Sequence, residues 1–105
     1  MSITLTVTVG WGIELPDRFY DSLGVEFYTD SHLLELDCPY HYDYEDGDSF
    51  AVLAKSTVKT FYGTHVNPHY NPPLPTAQEV LALKDLQDRI GYDAELKPLM
   101  VVSLG

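Results

Sequence analysis

The sequence predicts a single α+β domain built on a mostly antiparallel sheet. Three observations carry this. Alternating apolar and polar residues recur along the chain, one strongly capped helical stretch follows them, and a last apolar run closes the order. A length of 105 residues suits one domain, 1–105, with a modest core. The expected sheet has about four to five strands, with one long and one short helix.

The first strand is the strongest signal. Ile3, Leu5, Val7, Val9, Trp11, Ile13 and Leu15 hold the odd positions, with Thr4, Thr6, Thr8, Gly10, Gly12 and Glu14 between them. Period two puts one set on a buried face. Gly10 and Gly12 mark a bend or bulge in an otherwise overlong strand. Pro16, Asp17 and Gly24 then frame a short helix with Phe19 and Leu23 on one side. Val25 to Tyr28 reads as a short strand or the lead-in to one, before a second alternating stretch. There, Leu34, Leu36, Cys38, Tyr40, Tyr42 and Tyr44 share one parity, and Glu35, Asp37, Pro39, His41 and Asp43 hold the other. Pro39 makes this strand an edge or breaks it. The Asp46-Gly47 pair predicts a hairpin turn, with Phe50 to Tyr62 as the return strand.

Four of the seven prolines fall between Gly63 and Pro75, which reads as an extended loop. Thr76 and Glu79 form a capping-box signature, Val80, Leu83, Leu86 and Ile90 line one helical face, and Gly91 stops the helix. Leu99-Met100-Val101-Val102 reads as a strand buried on both faces. The order strand, short helix, strand, strand, long helix, strand is that of the split βαβ, ferredoxin-like plan βαββαβ. A crossover through the second helix is further expected to place the last strand centrally, parallel to a neighbour.

Composition restricts function. The net charge of −10 disfavours direct binding to a nucleic-acid backbone or an anionic membrane. One cysteine, Cys38, forbids an internal disulfide and fits a reducing, cytoplasmic setting. The N-terminal residues lack a signal-peptide pattern, and no apolar run approaches the roughly 20 residues of a membrane span. No P-loop, G-x-G-x-x-G or G-x-S-x-G is present. The stretch from Asp43 to Asp48 fails as a calcium loop, because its glycine is fifth and no Glu stands twelfth. His41 beside Asp43 has no nucleophile at a recognisable spacing. The chain is therefore expected not to be an enzyme.

The charge is concentrated. Residues 14–48 hold eleven acids and one base, Arg18, for a net −10. Residues 49–75 carry only Lys55 and Lys59, and residues 76–105 sum to −2. Five of the eight tyrosines also lie in the acidic segment. Carboxylates steer a basic partner, and tyrosines add contact area at low entropy cost. Glu35, Asp37, Tyr40, Tyr42, Asp43, Tyr44, Glu45, Asp46 and Asp48 form the candidate interface for a basic protein. Such a surface can imitate nucleic acid toward a nucleic-acid-binding protein. The plainer alternative makes Glu35, Asp37 and Asp43 a solvated face and the tyrosines an extension of the core. Val25, Phe27 and the Tyr40–Tyr44 edge also suit pairing between two copies, a homodimer.

Two further sites are open. His65, His69 and Tyr70 suit the mouth of a small-ligand pocket beside the proline loop. Cys38, His41, His65 and His69 offer one thiolate and three imidazoles, a donor set that zinc takes tetrahedrally. Pro68 disfavours the helix on which finger histidines sit, and strand parity points Cys38 and His41 apart. The expected cofactor content is none, with zinc as the exception.

The small size, the acidic first half, Gly10-Trp11-Gly12-Ile13 after a Thr-rich strand and the Asp-Gly hairpin resemble small acidic accessory proteins encoded by bacteriophages. Some of those block host defence or host enzymes. The resemblance implies a binding or inhibitory role in the host cytoplasm and assigns no individual residue.

Overall fold

The computed structural model describes residues 5–19, 32–38, 49–63 and 70–104. The described chain is α+β. Five strands, β1 (Leu5–Pro16), β2 (Leu33–Cys38), β3 (Ser49–Ala54), β4 (Lys59–Gly63) and β5 (Lys97–Leu104), form one sheet with one helix, α1 (Ala77–Ile90). Every pairing among the described residues is antiparallel.

β1 is the axis of the sheet. On one edge its second half pairs with β3 and its first half with β4; β5 lies along the other edge. β2 continues the sheet beyond β3. Since β4 and β5 both run against β1, the connection through α1 joins two parallel strands with β1 between them. The last strand is thus not central with a parallel neighbour; among the described residues it pairs antiparallel with β1 alone. The short first helix is seen as a single 3-10 turn, Asp17–Phe19. The remainder of that expected helix lies outside the described residues.

The expected return strand from Phe50 to Tyr62 is interrupted. Gly12 faces Leu53 and Val9 faces Lys59, so residues 54–58 stand opposite only residues 10–11. The three excess residues form a 3-10 turn, Lys55–Thr57. Gly10 lies against Thr57 and Val58 of this bulge, and Gly12 against Val52 and Leu53 of β3 just before it. A Cβ at Gly12 would lie 2.1 Å from the Val52 carbonyl oxygen and 2.9 Å from Leu53 Cα, which no side chain tolerates.

Both sheet faces are buried at β3. Phe50 and Val52 join Ile13, Leu15, Leu33, Leu83 and Leu86 under α1. Ala51 and Leu53 join Val101 on the other side, with Val58 and Leu99 packed against them. The sheet coils strongly there: Cα atoms of β2 and β5 come within 8 Å although β3 and β1 lie between them.

α1 has the expected cap and stop. Thr76 accepts from the Glu79 amide and the Glu79 carboxylate accepts from the Thr76 amide, while Gly91 takes the left-handed conformation. Its buried positions differ from the expected stripe. Glu79, Leu83 and Leu86 face inward, whereas Val80 is exposed. β5 is likewise not buried on both faces. Val101 is inside, but Met100 is 53% exposed. An edge strand paired on one side leaves such positions open.

Candidate functional site

The break between β3 and β4 gathers most of the buried polar chemistry in the described residues. Thr57 is fully buried, and its hydroxyl donates to the Ala54 carbonyl (2.7 Å) while accepting the Trp11 amide (2.9 Å). Trp11 is one of the two β1 residues that the bulge leaves without a register partner on that edge, so Thr57 takes the place of the ladder bond. The Tyr70 hydroxyl donates to the Thr57 carbonyl (3.1 Å), and the Trp11 indole donates to the Pro72 carbonyl (3.1 Å). Residues 70–72 are thereby tied across the β1–β4 end of the sheet.

Glu79 ties the same turn to α1. Its carboxylate accepts from the Ser56 amide (2.9 Å), the Ser56 hydroxyl and the Thr76 amide (2.9 Å). Burial pushes this carboxyl up. The hydrogen bonds from Ser56, and those shared with Thr76, outweigh it and hold the group below the ordinary glutamate value of 4.5. A shallow depression beside it is lined by His32, Lys55, Ser56, Thr76, Gln78 and Glu79. The amides at this helix start already serve Glu79 and Thr76, so the knot is structural.

Two residues further along, where β4 begins, the chemistry faces outward. The Lys59 ammonium lies 5.3 Å from the Phe61 ring centroid and 5.4 Å from that of Tyr70. The two rings are 6.1 Å apart and tilted by 59°. Together they present a two-walled aromatic seat holding a cation.

The sequence-selected residues are dispersed by comparison. Glu35 stands opposite Val52, on the sheet face that α1 covers, and is half-buried, while the backbone of Asp37 pairs with that of Phe50. Leu34 stands opposite Leu53, on the other apolar face, and the backbone of Leu36 pairs with that of Ala51. The expected division into a core parity and a solvated parity thus does not hold at Glu35, because the sheet is apolar on both sides. Cys38 ends β2 opposite Ser49. Tyr40, His41, Tyr42, Asp43, Tyr44, Glu45, Asp46, Asp48, His65 and His69, like Val25 and Phe27, lie outside the described residues. Among the described residues no three His, Cys, Asp or Glu side chains cluster as metal ligands. Tyr70 is engaged by Thr57, Phe61 and Lys59.

The sequence reading did not find Ser56, Thr57 or the inward role of Glu79. The signal was there: polar Lys55-Ser56-Thr57 interrupts an apolar strand, and Gly10 and Gly12 mark a distortion in the first one. Among the described residues no helix is long and apolar enough to cross a membrane. Comparison with protein-family models, curated proteins and solved structures finds no match.

Proposed function

We propose that the chain is a non-enzymatic binding protein, inhibitory in effect, which offers the acidic, Tyr-rich segment 14–48 to a basic protein. The single observation behind this reading is the charge distribution. That segment alone carries a net −10, equal to the charge of the whole chain. Charge on this scale speeds encounter with a basic partner and makes the complex salt-sensitive. The resemblance to small phage accessory proteins agrees with a host protein as target. With Glu35 half-buried on the helix side, the proposed interface draws mainly on Asp43, Glu45, Asp46 and Asp48.

A tagged pull-down from bacterial lysate, eluted by a salt gradient and identified by mass spectrometry, tests the reading. One basic protein released at moderate salt is the expected result. An empty pull-down from folded protein overturns it.

We further infer that the architecture is ferredoxin-like. The strand order β2-β3-β1-β5 and the α1 connection between parallel strands support it. The plan needs a helix between β1 and β2, so helical backbone chemical shifts over residues 17–23 are expected. Extended shifts there would refute the assignment.

A further inference from the structure

We propose that the Phe61–Tyr70 ring pair is a seat for a lysine or arginine side chain of a basic partner, with Lys59 as its resident stand-in. The inference rests on the reading of the partner as basic, but the seat itself is defined by geometry. One ammonium lies within 5.4 Å of both ring centroids, the distance range in which a cation is attracted to a ring face.

The rings do not depend on that ammonium for their positions. Tyr70 is anchored through its hydroxyl to the Thr57 carbonyl, and Phe61 is held by the pairing of its backbone with Val7. The seat is therefore preorganised, which lowers the cost of admitting another cation. Lys59, in contrast, is an exposed side chain on a flexible stem. An exposed cation–π contact is weak enough for the resident group to exchange with solvent or with an incoming side chain. A partner's cation is attracted by the −10 of the chain, and displacing Lys59 releases it to water. Lys59 then acts as an internal competitor that keeps the rings covered until a stronger cation arrives.

The probe is tetramethylammonium, followed through the ring-proton NMR shifts of Phe61 and Tyr70, with Lys59→Thr and Lys55→Thr variants. Both variants remove one positive charge, but only the first empties the seat. Removing an intramolecular competitor of this strength is expected to tighten binding about two- to fivefold in Lys59→Thr, with Lys55→Thr close to the unaltered protein. Equal behaviour of the two variants, or ring protons that never shift, overturns the proposal. Because no partner is present, this failure is distinct from failure of the acidic interface. A lysine-rich peptide serves as second probe: loss of its binding on charge reversal at Glu45, Asp46 and Asp48, with the tetramethylammonium result intact, supports both the seat and the acidic interface, whereas unchanged peptide binding in that variant overturns the acidic interface alone.

Discussion

The Lys55–Thr57 turn and the start of β4 adjoin in sequence, yet they treat polar groups in opposite ways. In the turn, Ser56 and Thr57 direct their hydroxyls to fixed acceptors, and a buried carboxylate closes the set. Two residues later, Lys59 reaches across two ring faces at the surface. The first arrangement is expensive to break, because each lost partner leaves a buried group unpaired. The second exchanges at little cost. Stability resides in the turn, and the seat, which the turn holds in place through Tyr70, is free to serve recognition.

Four substitutions sharpen this contrast, in falling order of effect. Gly12→Ala brings a Cβ against the Val52 carbonyl and should cost about 3 kcal/mol or more, read as a collapse of the thermal midpoint. Thr57→Val keeps the shape but strands the Trp11 amide, and a loss of about 2 kcal/mol in urea unfolding is expected. Glu79→Gln should cost about 1–2 kcal/mol at neutral pH. Its folded-state carboxyl lies below the ordinary value, so the stability it contributes is present above pH 4.5 and fades as pH falls through the lowered value. The gap between Glu79→Gln and the unaltered protein should therefore narrow in acid. A gap independent of pH would show that Glu79 acts through packing. Lys59→Thr should change stability by less than about 1 kcal/mol.

Much of the scaffold was legible in the sequence for local reasons. The alternation of β1, the Thr76–Glu79 box and Gly91 depend on near neighbours, so pattern reading finds them. The bulge was half legible, since Gly10 and Gly12 announced a distortion without showing that the extra residues lie on the opposite strand. Val80 and Met100 misled because a single apolar position does not reveal which neighbours cover it. Glu35 misled for the opposite reason. Parity assigns a charge to the solvent face only when one face is wet, and this sheet packs both. The seat at Phe61 and Tyr70 joins a strand to a proline-rich segment through Thr57, a contact with no sequence signature.

The acidic interface is tested most directly by the affinity and association rate of the captured basic protein at low salt. The comparison is between the unaltered chain and the triple variant Glu45→Lys, Asp46→Lys, Asp48→Lys. Weaker binding, mainly through slower association, is the predicted result. Unchanged affinity and rate in a folded variant would contradict the account.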